Sequence, residues 1–129
     1  YADLGLMMDR SWIMGRRDTL EIYGGKGLNQ IVKGIQDSYE LEYSYRTAHH
    51  GEETMPSKAV ISRANEISDS LVASTPVIYD KDGVQVTIFP VDHAPIFPAV
   101  GYKITYKGKS VVISGDTKKN DLVQCLISF

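Results

Sequence analysis

Apolar positions follow two periods along this chain. Leu4, Met7, Met8 and Trp12 stand near helical spacing with no proline between them, so Tyr1 to Met14 reads as a helix packed on one face. After Gly15-Arg16-Arg17-Asp18, the run Thr19-Leu20-Glu21-Ile22-Tyr23 alternates like a short strand and stops at Gly24-Gly25. Leu28, Ile31, Val32 and Ile35 then recur at i, i+3, i+4 and i+7, the stripe of an amphipathic helix that continues to about Tyr39. A β-α unit follows from this order. Leu41 to Gly51 reads as a second helical piece or an irregular excursion, with Gly51 a natural stop.

From Ala59 the pattern turns to strand. Ala59-Val60-Ile61, Val77-Ile78-Tyr79 and Val84 to Phe89, the last entered through the turn-forming Asp82-Gly83, suggest a β-meander. Gly101 to Tyr106 and Lys109 to Ser114, joined by Lys107-Gly108, suit a tight hairpin, because glycine accepts positive φ. The chain shows no internal repeat and no low-complexity tract.

With 129 residues there is room for one core. A hydrophobic share of 43% with 23% charged residues is that of a folded globular protein. The 14 basic and 16 acidic side chains give a formal net charge of -2, which provides no general field for phosphate polymers, so RNA as a partner has no support from charge. Cys125 stands alone, which excludes an internal disulfide and fits a reducing compartment. No apolar run reaches the length of a membrane span, and the first residues lack the basic start and apolar core of a signal peptide. The expectation is a cytoplasmic protein without a membrane partner. The chain begins with Tyr and stops soon after a site-like motif, so both ends are expected to have been cut from a longer protein.

The hairpin register nominates a pair of functional residues. With Lys107-Gly108 as a two-residue loop, Tyr106 faces Lys109, Ile104 faces Val111, Tyr102 faces Ile113, and Ala99 comes opposite Asp116. Partners in neighbouring strands lie about 5 Å apart. His93 precedes Ala99 by a short loop stiffened by Pro95 and Pro98, so its imidazole can approach the Asp116 carboxylate. Val111-Val112-Ile113 reads as a buried strand, and an ionised Asp at its end is costly to desolvate unless a cation compensates it. Against this, a lone His beyond a strand is commonly just hydrogen-bonded, and Asp116 could cap a helix starting near Lys118. His49 and His50 point apart as sequence neighbours and favour a structural role. Gly24-Gly25-Lys26-Gly27 lacks phosphate-loop spacing and reads as a turn opening the Leu28 helix. Arg16-Arg17 and Lys118-Lys119 read as solvated charges, the lysines near enough to Asp116 to meet an anionic substrate.

Three segments together, Phe89 to Pro95, Pro98 to Ile104 and Ser110 to Thr117, resemble the third and fourth motifs of the metallo-β-lactamase superfamily, in its ribonuclease Z-like branch. Tyr1-Ala2-Asp3-Leu4-Gly5-Leu6 resembles the helix that follows the family's H-x-H-x-D-H motif, and Leu20 to Leu28 resembles its strand-turn-helix, so the likeness covers Tyr1 to about Asp121. It implies an α/β (α+β) fold, part of a four-layer αββα sandwich, with residues 1–129 as a single incomplete domain. H-x-H-x-D-H and the last His ligand would lie outside the chain. The resemblance also implies that His93 binds one metal and Asp116 bridges two, usually zinc, with other divalent metals able to serve. Asp116 is then the catalytic residue of a metal-dependent hydrolase acting on a small-molecule ester or phosphodiester.

Asp116 comes only 23 positions after His93, which leaves no room for the long tRNA-gripping arm that many ribonuclease Z enzymes insert there. A tRNA 3′-processing endonuclease and a catalytically inactive fragment are the alternatives. Apolar surface left open by missing parts of the fold would make the chain self-associate into a homo-oligomer.

Overall fold

The computed structural model describes residues 1–119 and 121–127, in a mixed α/β arrangement. The chain divides into two compact units, Tyr1–Glu66 and Ile67–Phe129.

The first unit opens with α1 (Leu4–Ile13), followed by β1 (Leu20–Gly24), α2 (Leu28–His50), a one-turn helix α3 (Ser57–Val60) and β2 (Ser62–Glu66). β1 and β2 pair in parallel, Ile22 opposite Ala64, with α2 in the crossover that a parallel pair requires. Two apolar clusters hold this unit together. Met8, Leu28 and Val32 pack with Leu20, Ile22 and Ala64, and Trp12, Tyr43, Met55 and Ala59 form the other. Trp12 meets Tyr43 edge-on at 5.3 Å between ring centroids, and its indole N–H donates to the Pro56 carbonyl at 3.2 Å, so the buried ring leaves no polar group unpaired. The Arg16 guanidinium bonds the carbonyls of Asp18 and Ala59, tying the end of α1 to α3.

Three expectations are corrected here. The helix expected to fade near Tyr39 is one continuous element to His50, without a separate piece after Leu41. Nothing between Leu28 and His50 breaks it, the Lys33–Asp37 and Glu42–Arg46 pairs brace it at i,i+4, and Tyr43 is buried on its inner face. It stops at Gly51, whose φ of 79° lies outside the helical region. Ala59 and Val60 are helical, and the strand begins at Ser62. Their apolar character reflects packing on Trp12, which periodicity in so short a run cannot distinguish from a strand. That strand joins β1, so the meander does not begin there.

The second unit holds α4 (Asp69–Val72), β3 (Val77–Lys81), β4 (Val84–Pro90), β5 (Val100–Tyr106), β6 (Lys109–Ile113) and α5 (Asp121–Ile127). Its four strands form an antiparallel meander in the order β3-β4-β5-β6. Both outer hairpins turn on two residues with positive φ, Asp82 (53°) with Gly83 (78°) and Lys107 (48°) with Gly108 (74°), the turn that matches strand twist. The register of the last hairpin is the one expected: Tyr106 faces Lys109, Ile104 faces Val111 and Tyr102 faces Ile113. β6 itself is not buried. Val111 is 61% exposed and Ile113 52%, because β6 is the edge of its sheet and shares with Tyr102 and Ile104 a face that is only partly covered.

Candidate metal centre

His93 lies three residues beyond the end of β4, and Asp116 three beyond the end of β6. Neither belongs to a ladder, so strand pairing alone does not bring them together. Val91 continues the path of β4 by donating its N–H to the Ala99 carbonyl at 3.0 Å, which closes the base of the 92–98 loop. The decisive link is the Asp92 carbonyl. It accepts from the Lys118 N–H at 2.9 Å and from the Thr117 hydroxyl at 3.0 Å, whose single proton is shared with the Lys118 carbonyl at 2.9 Å, pinning the segment after β6 to the segment after β4. Gly115 makes the approach feasible, since its φ is +66° and a side chain there would meet the Val100 carbonyl at 3.2 Å.

The result is that His93 Nε2 stands 3.4 Å from Asp116 Oδ2. This is a long distance for a hydrogen bond. It is, however, the edge of a tetrahedron whose Zn–N and Zn–O bonds are about 2.0–2.1 Å, since two such ligands lie about 3.3–3.4 Å apart. The donor set also suits a borderline-soft divalent ion: one imidazole nitrogen and one carboxylate oxygen. The fit is to one edge of a site. Among the described residues no group of three or more His, Cys, Asp or Glu side chains could hold a metal ion, so these two donors fall short of the three or four that zinc needs.

The environment differs from the expectation in one respect. The Asp116 side chain is 85% exposed and that of His93 39%, so the carboxylate is not a desolvated group at the mouth of a core. An ion pair this exposed contributes little to stability. Asp116 does not cap the last helix either, which starts at Asp121.

Beside His93 the chain forms a hollow of about 130 Å³ lined by Asp92, His93, Pro95, Ile96 and Phe97 among others. A larger cleft of about 620 Å³ lies in the first unit between α2 and α3. Its carboxylates, Asp37 and Glu40, have no imidazole or thiolate beside them in the lining. Convergence of unlike donors, rather than volume, singles out the smaller site.

His49 and His50 end α2 with their rings edge-on at 4.6 Å, in the last turn, where a partial negative charge favours basic side chains. The glycine turn before α2 is likewise structural. Glu66 Oε1 accepts from the N–H groups of Gly27 at 3.0 Å and Asn29 at 2.9 Å, so the chain's own carboxylate occupies the place a phosphate would take. Sequence reasoning overlooked Thr117 and the Asp92 backbone. The signal available was a hydroxyl directly after an Asp at a strand end, which is too common to identify a loop clamp.

No family model matches the chain. Individual proteins do. The chain is 30% identical over 119 residues to a ribonuclease Z from Mycolicibacterium gilvum, a match that takes in 90% of this chain and 38% of that protein. The chain is similar to ribonuclease Z. A ribonuclease Z from Mycolicibacterium paratuberculosis is 31% identical over 119 residues, and one from Mycobacterium marinum 29%, each match covering 90% of this chain and 39% of the relative. The chain thus spans about two fifths of the length of the ribonuclease Z proteins it matches. No helix among the described residues is long and apolar enough to cross a membrane.

Proposed function

We propose that the chain is part of a binuclear zinc hydrolase of the metallo-β-lactamase fold, a four-layer αββα sandwich. In this reading His93 would be a ligand of one metal and Asp116 a ligand shared by two, and the substrate would be an ester or phosphodiester. The observation that carries the proposal is the 3.4 Å approach of His93 Nε2 to Asp116 Oδ2 on two loops clamped through the Asp92 carbonyl. When bound, zinc supplies Lewis acidity and a hydroxide at neutral pH. The residues contribute position. The Asp92 carbonyl and Thr117 hydroxyl fix the span between the two ligands, and the imidazole must be neutral at Nε2 to donate its lone pair. The remaining ligands come, in this proposal, from the three fifths of the relatives' length that the chain does not span.

The name of the relatives favours a second reading, tRNA 3′-end processing of the ribonuclease Z type. Against it stand the net charge of -2 and the short His93-to-Asp116 interval. Zinc stoichiometry by elemental analysis, beside hydrolysis of bis-p-nitrophenyl phosphate, tests the proposal. The 129-residue chain should bind zinc weakly and hydrolyse no faster than buffer. A protein extended to the relatives' full length, with H-x-H-x-D-H and the last His in place, should hold two zinc ions and turn over, and Asp116→Ala should remove most of both. Full zinc loading in the extended Asp116→Ala protein would sink the assignment.

A further inference from the structure

Asp92 is bonded through both its backbone and its side chain, to different segments. Its carbonyl accepts from the Lys118 N–H at 2.9 Å and from the shared Thr117 hydroxyl at 3.0 Å, which holds the segment that carries Asp116. Its carboxylate reaches forward along the chain. Oδ1 accepts from the Ala94 N–H at 3.2 Å, spanning His93, and the Ile96 N–H then donates to the His93 carbonyl at 2.8 Å. Pro95 and Pro98 have no N–H to give, so these two bonds carry much of the backbone order of the loop.

An Asp side chain bonded to the N–H two residues on is a common turn former, and in an exposed loop such a bond often does nothing else. Here the residue inside the turn is His93. Its ring stands 3.4 Å from Asp116 although the two side chains are 39% and 85% exposed, so packing does not hold either of them in place. Backbone hydrogen bonds must then set the direction from which each side chain leaves the chain, and Asp92 makes such bonds to both segments. We infer that the Asp92 carboxylate is a positioning residue, which aims the His93 imidazole at Asp116 by holding the Ala94 N–H. It acts through His93 and not on a metal or substrate. The role deepens the proposed function and rests on it for the metal, whereas the aim of the ring can be read without one.

The test is nuclear magnetic resonance on the isotopically labelled chain and its Asp92→Asn and Asp92→Ala variants, each first without metal and then titrated with zinc. Asp92→Asn keeps an oxygen able to accept from the Ala94 N–H. In it and in the unmodified chain, the metal-free His93 χ1 couplings should report one rotamer and the ring should cross-relax with Asp116. In Asp92→Ala both signatures should be lost while the amide signals of β4, β5 and β6 stay in place. Zinc, read at the His93 ring, should bind Asp92→Ala about tenfold more weakly, the scale of losing an outer partner of a metal ligand, and Asp92→Asn as the unmodified chain does. A fixed ring in Asp92→Ala would overturn the role. So would an Asp92→Asn chain that behaves like Asp92→Ala, which assigns the effect to charge, or amide signals displaced throughout the sheet, which assign it to the fold. If the metal-free results hold and zinc leaves the ring of the unmodified chain unshifted, the positioning stands and the metal assignment alone falls.

Discussion

His93 Nε2 and Asp116 Oδ2 approach to 3.4 Å although they stand 23 positions apart in the chain and neither lies in a strand. Both are reached by water, so the contact does not exist to stabilise the fold. The contrast is with His49 and His50, which touch each other at the end of a helix. In a protein carrying the complete site, His49→Ala and His50→Ala should leave zinc near two per chain, and His93→Ala should lower it. Loss of zinc on changing His49 or His50 would transfer the metal role to that pair.

Thr117 offers a way to loosen the site without touching a ligand. Thr117→Val keeps the shape and removes the hydroxyl that donates to the Asp92 carbonyl at 3.0 Å. The Lys118 N–H bond to the same oxygen remains, so the cost to folding should be about 0.5–1.5 kcal/mol, the worth of one hydrogen bond. Zinc affinity should fall by more than stability does if the clamp positions the ligands. Chemical denaturation and metal titration on the same variant check this, and unchanged zinc affinity would show that the clamp is dispensable.

Gly101 tests the packing beneath the site. The fully buried Phe89 ring lies over its Cα, and a methyl group there would clash with that ring and stand 3.0 Å from the Ile113 carbonyl. Gly101→Ala should therefore destabilise the second unit by about 1–3 kcal/mol, as overpacking does. Thermal unfolding measures it. A neutral result would mean that the ring and β6 can shift to make room.

Glu52 gives the first unit a pH dependence. The Ser57 N–H donates to its carboxylate at 2.8 Å and the Ser57 hydroxyl assists, holding the carboxyl below the usual Glu value. Because the folded-state value is the lower one, this stabilisation is present above the unfolded-state value of about 4.3 and is lost as pH falls through the folded-state value. The stability difference between the wild-type chain and Glu52→Gln should be constant near neutrality and close below about pH 4. A difference that stays constant into strong acid would assign the effect to something other than ionisation.

The elements legible in advance were those whose signal is local. The α1 stripe, the start of α2 and the three strands from Val84 to Ile113 follow from spacing and from turns that glycine permits, and the last hairpin's register follows from a two-residue loop. The Ala59 segment and the burial of β6 were misread for one reason. Apolarity states that a side chain prefers to be covered, and only the arrangement of neighbours states whether it is. Ala59 is covered by Trp12, whereas Val111 on an edge strand remains exposed.

For the site, the sequence by itself determined the donor types, the glycine after Ser114 and a loop length that allows His93 to reach Asp116. Tertiary structure decided that they meet. Ala99 was expected opposite Asp116, but β6 leaves the ladder at Ile113 and Gly115 turns the chain, so pairing no longer sets the distance. Two hydrogen bonds to the Asp92 carbonyl set it instead. A backbone carbonyl carries no residue identity, and its partner can be any N–H or hydroxyl that folding brings within about 3 Å. That contact exists only once both strands are in place.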